Sequence, residues 1–306
     1  MRKPRALKPG DQIALVAPAS PFAREEFDRG LAEIERLGFR PVFDDTVFAR
    51  ESGYLAGSAE TRARAFTRYW SDSAVAALIA VRGGYGSVQL LPRLDLATIT
   101  AQPKLFIGYS DNTSLMSWLT CQCGIPALHG PMIEGRLAGG AGYDHRSFTS
   151  LVSGGCGLEL APAGLRVLRT GEASGPLFGG TITQLAASLG TPYAFDPPPG
   201  CVLFLEDVNE RPYRIDRMLT QLALSGILTR AKSLVFGEMR GCDEPGGRIG
   251  VIDVIARATD HCHGPVVVGF PSGHTSGPTW TLPLGVSVRV ATHPTPRVVI
   301  EEAAVE

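Results

Sequence analysis

The chain has 306 residues, of which 44% are hydrophobic and 19% charged, and its formal net charge is −1. That length accommodates two domains of ordinary size, and a charge so close to neutral implies no basic face, so nucleic acid is not expected as a partner. The apolar run 13–17 is stopped by Pro18, and no segment approaches the roughly 20 apolar residues of a membrane span, so no signal and no membrane association are expected and the protein is read as cytoplasmic.

The first half alternates strand and helix signals. "QIALVAP" (12–18) is a short apolar run of the kind covered on both faces of a sheet. Ser20-Pro21 then reads as a helix N-cap followed by proline in the first turn. Phe27, Leu31, Ile34 and Leu37 recur at helical spacing, with Gly38 where a C-cap belongs. "RPVFDD" (40–45) reads as a strand, "TRARAFTRYWSD" (61–72) as a helix and "VAALIAVRGG" (75–84) as a strand ending in glycine. "PKLFIGYS" (103–110), "NTSLMSWLTCQCG" (112–124) and "IPALHGP" (125–131) continue as strand, helix and strand. Such alternation indicates a parallel, doubly wound sheet, whose ligands bind beyond the carboxyl ends of the strands.

Between 135 and 175 the periodicity weakens into glycine-rich sequence, and the linker falls there. Beyond it, "GPLFGGTITQLAASLGT" reads as a glycine turn and a helix, "CVLFLEDV" (201–208) as a strand, and "RIDRMLTQLALSG" (214–226) as a helix. "SLVFGEM" and "PVVVGFPSG" read as strands flanking the helix "VIDVIARATDHC", and the end alternates like an antiparallel hairpin. The expected fold class is therefore α/β, with three parts: an N-terminal α/β domain (1–150), a linker (151–174) and a C-terminal mixed α/β domain (175–306).

Four stretches can carry chemistry. "FIGYSDNTSL" (106–115) places Ser110 at a strand-to-helix turn, where a nucleophilic hydroxyl is exposed and the next N–H faces the same way. The nucleophile-elbow pattern Gly-x-Ser-x-Gly is only partly matched, because Asn112 stands where the second glycine belongs. A helix cap at Ser110 or Asp111 is the plainer reading of this stretch alone. "VRGGYGS" (81–87) brings three glycines to a strand end, where backbone amides could meet an anion or simply form a tight turn. It has neither dinucleotide nor Walker spacing. "LFLEDV" (203–208) ends a strand with Glu206 and Asp207, and "VVVGFPSGHTSGP" (266–278) places His274 between glycines beyond another, where it could act as a general base. His129 is its main competitor. Together Ser110, Glu206 and His274 complete a nucleophile, acid and base set, each at the end of an apolar strand. The six cysteines lack the paired spacing of a zinc site and read as buried reduced thiols. The "HCH" of 261–263 is a weak metal candidate, so no metal site is expected.

The motifs "RGGYG" (82–86), "GYSDNT" (108–113), "FLEDV" (204–208) with "PYRIDRML" (212–219), and "GFPSGH" (269–274) resemble those of the serine L,D-carboxypeptidases, the muramoyltetrapeptide carboxypeptidases. "LKPGDQIALVAPAS" and "WTLPLG" are similar too, so the resemblance spans essentially the whole chain. It implies a flavodoxin-like N-terminal domain carrying the nucleophile Ser110, and a C-terminal domain carrying Glu206 and His274. It also implies an oxyanion hole from the N–H groups of Gly84 and Asp111, no metal or organic cofactor, and a homodimer. The implied reaction releases the C-terminal D-alanine of a murein tetrapeptide during cell-wall recycling, with Arg82, Gly83 and Tyr85 the candidates for binding substrate. Within the same family, the microcin immunity hydrolases of aminoacyl-sulfamoyl nucleotides are the alternative. They would want an aromatic platform for the base, for which Trp280, Tyr213 and Phe270 are available. A non-catalytic ligand-binding protein on the same scaffold is the rival from another class.

Overall fold

The computed structural model describes residues 1–247 and 249–306. In chain order the first half contains β1 (Gln12–Val16), α1 (Arg24–Arg36), β2 (Arg40–Val42), α2 (Ala59–Ser71), β3 (Val75–Ala80), α3 (Leu96–Ala101), β4 (Leu105–Gly108), α4 (Thr113–Cys121), β5 (Ala127–His129) and α5 (His145–Val152). The remainder contains β6 (Leu158–Leu160), β7 (Arg166–Arg169), β8 (Glu172–Thr181), α6 (Ile182–Ser188), β9 (Val202–Glu206), α7 (Pro212–Leu224), α8 (Ile227–Arg230), β10 (Ser233–Gly237), α9 (Val251–Ala258), β11 (Val266–Phe270), β12 (Leu282–Leu284), β13 (Ser287–Ala291) and β14 (Arg297–Ile300).

Two sheets result. The first has the order β12-β5-β4-β3-β1-β2, parallel except for β12, which the C-terminal half lends to its edge beside β5. The second has the order β6-β14-β13-β8-β9-β10-β11-β7. Its centre, β8 through β11, is parallel, and its flanks are antiparallel. The fold is the α/β class expected from the alternation of signals.

Alternation along β9 divides its side chains between two cores. Val202 and Phe204 join the core shared with the first sheet, while Leu203 and Leu205 join a second core under α6, α7 and α9. All four are fully buried, each contributing about 1.5–3 kcal/mol of hydrophobic stabilisation. Because Leu177, Phe204 and Phe270 share one core with Phe106 and Leu128, the halves pack against each other without a gap.

Several expectations are corrected. The stretch read as a linker forms β6 and β7, which close opposite edges of the second sheet, so its low periodicity marks edge strands rather than a tether. The glycine turn expected around 175–180 is instead the body of the ten-residue β8. Its glycines are there for close approach: a Cβ on Gly179 would stand 1.8 Å from the Phe204 carbonyl oxygen, and φ there is +134°. Helix α1 begins at Arg24, and its N-cap Ala23 makes no side-chain cap, so Ser20 is not the cap its position suggested. Of the cysteines, Cys121 is half-buried and Cys156 exposed, and the other four are buried.

Candidate active site

The site forms where strands of both sheets end. Buried β4 runs out at Gly108, and the chain turns at once into a short helical turn over 110–112 that leads into α4. The turn is tight enough to force Ser110 to φ +64°, a left-handed value a serine adopts only under constraint. Asn112 explains the missing second glycine of the elbow pattern. Its φ is −64°, so no unusual conformation is required there. Its side-chain amide instead donates to the carbonyls of Tyr109 at 3.2 Å and Arg82 at 3.3 Å, tying the turn to the neighbouring strand end.

Across the cleft, Glu206 is the last residue of β9 and His274 lies four residues beyond β11. The Ser110 hydroxyl donates to His274 Nε2 at 3.1 Å, and His274 Nδ1 donates to Glu206 Oε2 at 2.8 Å. An ionised carboxylate can only accept, so the proton sits on Nδ1 and the Nε2 lone pair faces Ser110. The His274 backbone N–H donates to the same Glu206 oxygen at 3.1 Å, and Thr181 Oγ1 donates to Oε1, so both carboxylate oxygens are held. Glu206 is 1% exposed and the His274 side chain 19%. Arg136 braces the histidine loop, donating to the carbonyls of Gly273, Thr275 and Gly277 at 3.0 Å each.

Electrostatics follow from this packing. Burial alone would lower the His274 pKa, but the Glu206 charge and hydrogen bond outweigh it, and the net shift is upward. Burial pushes the Glu206 carboxyl up, and the charge and hydrogen bond of His274 bring it below the usual range. Asp207 is pushed up to about 6, first by burial and then by the Glu206 charge beside it. His129, the competing base, is wholly buried and its pKa falls to about 4. Its Nδ1 is 2.8 Å from Ser272 Oγ, with Phe204 edge-on to the ring, so it belongs to the wall behind Glu206 and not to the cleft.

The glycine loop faces Ser110. A Cβ on Gly83 would meet Ser110 Cβ at 2.8 Å and Oγ at 2.9 Å, with the Asp111 N–H 3.5 Å away. Gly83→Ala should therefore displace the hydroxyl and lower kcat by at least about tenfold while the protein stays folded, measured as initial rates alongside circular dichroism. The Asp111 side chain is buried and points away from the cleft, its Oδ2 accepting from the Ser87 N–H at 2.8 Å. Burial raises its pKa, opposed by the hydrogen bonds from Ser87. Arg82 is braced on the cleft edge by Glu134, at 3.0 Å, and by the Pro21 carbonyl at 2.6 Å. Tyr85 is exposed beside Tyr54 and lines a cavity of about 210 Å³ with Thr113, Gln184 and Tyr193.

Sequence reasoning missed Thr181 and Arg136. Thr181 ends β8, the parallel neighbour of β9, and a threonine after two glycines at a strand end was the available signal. Arg136 lies in the glycine-rich stretch where no element was expected. Among the described residues, no group of three or more His, Cys, Asp or Glu is arranged to hold a metal, and no helix is long and apolar enough to cross a membrane.

A doubly wound α/β protein that sets a strained serine against a histidine–carboxylate pair has the architecture of a hydrolase with an activated hydroxyl. Comparison with known proteins makes the class specific. Residues 13–130 match the LD-carboxypeptidase N-terminal domain and residues 174–290 the LD-carboxypeptidase C-terminal domain. A "probable murein peptide carboxypeptidase" of Bacillus subtilis is 32% identical over 304 residues, covering 95% of this chain and 92% of that protein. The microcin C7 self-immunity protein MccF of Escherichia coli is 26% identical over 313 residues, covering 92% and 90%. The crystal structure of muramoyltetrapeptide carboxypeptidase from Oxalobacter formigenes superimposes with a TM-score of 0.83 at 29% identity, over 95% of this chain and 99% of that one. The chain belongs to the LD-carboxypeptidase family and is a peptidase. A purely ligand-binding role is thereby set aside.

Proposed function

We propose that the protein is a serine L,D-carboxypeptidase that releases the C-terminal D-alanine of a murein tetrapeptide through Ser110, His274 and Glu206. The observation that carries this reading is the unbroken chain of hydrogen bonds from Ser110 Oγ to His274 Nε2 and from Nδ1 to Glu206, assembled from both sheets. His274 accepts the Ser110 proton as the hydroxyl attacks the scissile carbonyl. The resulting oxyanion is held by the N–H groups of Gly84 and Asp111, and the start of α4 adds favourable dipole there. His274 then gives the proton to the leaving amine, and water, deprotonated by the same imidazole, hydrolyses the acyl-enzyme. Glu206 keeps the proton on Nδ1 and stabilises the imidazolium.

An exopeptidase must also bind a terminal carboxylate. Arg82 is suited to this, because Glu134 and the Pro21 carbonyl engage its Nε and Nη1 and fix its plane, and among the described residues Nη2 has no hydrogen-bond partner. Gly83 and Tyr85 border the same approach. The aminoacyl-sulfamoyl nucleotide reading is the weaker one here, since one of its three candidate platforms, Phe270, is fully buried and packed edge-on against Trp280.

The test is incubation with a synthetic L-alanyl-D-glutamyl-diaminopimelyl-D-alanine peptide and, in parallel, with an aminoacyl-sulfamoyl adenosine. Mass detection of released D-alanine, with little turnover of the nucleotide, is the expected result. Hydrolysis of the nucleotide alone would reverse the assignment. In the same assay, kcat/KM should rise with pH through a midpoint above 6.5, because His274 works as a base only when neutral and its pKa is raised. A rate profile without that rise would count against His274 as the base.

A further inference from the structure

Ser20 lies in the loop after β1, 63 positions before Gly83 in the chain, and the structure gives its backbone and its side chain separate tasks on the glycine loop. Its N–H donates to the Gly83 carbonyl oxygen at 3.1 Å, and its Oγ accepts from the Tyr85 N–H at 3.1 Å. The two peptide planes that flank Gly84 are thus both fastened to one residue. In a trans peptide the C=O and the following N–H point in opposite directions. With the Gly83 carbonyl turned towards Ser20, the Gly84 N–H is turned away from it, on the loop whose Gly83 abuts the Ser110 hydroxyl.

The fit permits no alternative at Gly84. Its φ is +98°, and a Cβ there would stand 2.2 Å from Ser20 Oγ and 2.5 Å from Ser20 Cβ. Ser20 is 8% exposed, so its hydroxyl is not a solvent group, and α1 does not use it as a cap. The surrounding loops are held by other residues. The buried Arg62 donates to the Pro18 carbonyl and to the Gly86 carbonyl at 2.8 Å, bridging the same two segments outside the Ser20 contact. Adhesion of the loops therefore rests on Arg62, and on Arg82 through the Pro21 carbonyl, while the angle of the Gly84 peptide rests on Ser20.

We propose that Ser20 is a positioning residue for catalysis, its hydroxyl clamping the Gly83–Tyr85 loop so that the Gly84 N–H points at the developing oxyanion. This rests on the Ser110 reading given above. Losing an oxyanion donor outright costs about a hundred- to a thousandfold in rate, and loosening its aim should cost less, about 10- to 100-fold.

The experiment compares wild type, Ser20→Ala, Ser20→Cys and Ser110→Ala, using a tetrapeptide substrate and a peptidyl boronic acid, whose tetrahedral serine adduct places an oxygen in the oxyanion position. The expected result for Ser20→Ala is a 10- to 100-fold fall in kcat with KM within about twofold, and a matching loss of boronate affinity. Ser20→Cys keeps the shape with a weaker acceptor and should fall between the two. Wild-type kcat in Ser20→Ala would overturn the proposal, as would a loss carried by KM with boronate affinity intact. Should Ser20→Ala fail to fold, wild-type kcat and boronate affinity in Ser20→Cys would overturn it equally. Activity retained by Ser110→Ala would instead bring down the Ser110 reading, and the clamp with it. An inactive Ser110→Ala beside an unimpaired Ser20→Ala rejects the clamp alone.

Discussion

Ser110→Ala is expected to lower kcat by about 10⁴-fold or more with KM nearly unchanged, because in the proposed mechanism the residue supplies the bond-forming oxygen and little ground-state binding. The side chain is small and only half-buried, so the fold should survive the exchange. Backbone strain gives a second, independent readout. Ser110 is held at φ +64° by the turn between β4 and α4, and left-handed backbone costs a non-glycine residue about 1–2 kcal/mol. Ser110→Gly should therefore be as inactive as the alanine variant yet more stable than wild type by up to about 1 kcal/mol, after allowance for the extra freedom of glycine in the unfolded chain. Urea denaturation measures the stability and D-alanine release the rate. A glycine variant less stable than the alanine variant would mean that the turn, and not the serine, prefers this geometry, and the link between strain and nucleophile would be lost.

The same turn marks where sequence and structure part. The apolar runs of β1, β3, β4 and β9 are legible because burial on both faces removes polar residues from consecutive positions, and helices α1, α2 and α7 because only one face is buried. Ser110, Glu206 and His274 are legible for a related reason: each follows such a run, at the end of a strand where a parallel sheet exposes its residues. What brings them together is not local. The register of β8 against β9 places Thr181 opposite Glu206, and nothing in the spacing of 181 and 206 announces it. Edge strands β6 and β7 are only three and four residues long, too short for a continuous apolar run, and the alternation of β6 spans just Leu158 to Leu160. Ser20 is the instructive miss. Serine before proline satisfies the rule for a cap, but the helix starts four residues later and the hydroxyl serves a loop distant in sequence. The rule weighs only local partners.

Glu206→Gln separates charge from shape within the histidine–carboxylate pair. Turned so that its carbonyl faces His274, the glutamine amide can still accept from the ring Nδ1–H and from the backbone N–H, while its NH2 faces Thr181. The imidazole then keeps its place but loses the negative charge that stabilises it once protonated, and kcat should fall by about 10³-fold, less than for Ser110→Ala. The sign of the pH effect follows from what holds the His274 pKa up. Burial lowers it and the Glu206 charge raises it, with the charge prevailing in the wild type. Without the charge, burial prevails, and the midpoint of kcat/KM against pH should move from above 6.5 to below it. Asp207 also contributes a raising charge, and its own carboxyl, pushed up to about 6 beside Glu206, should titrate lower once that neighbour is neutral. It cannot replace the lost partner, because its oxygens are taken by Thr183 and the Val208 N–H. A Glu206→Gln profile with the wild-type midpoint would mean that the group titrating in the rate is not His274. A midpoint moved downward together with the thousandfold loss ties the base to the carboxylate behind it.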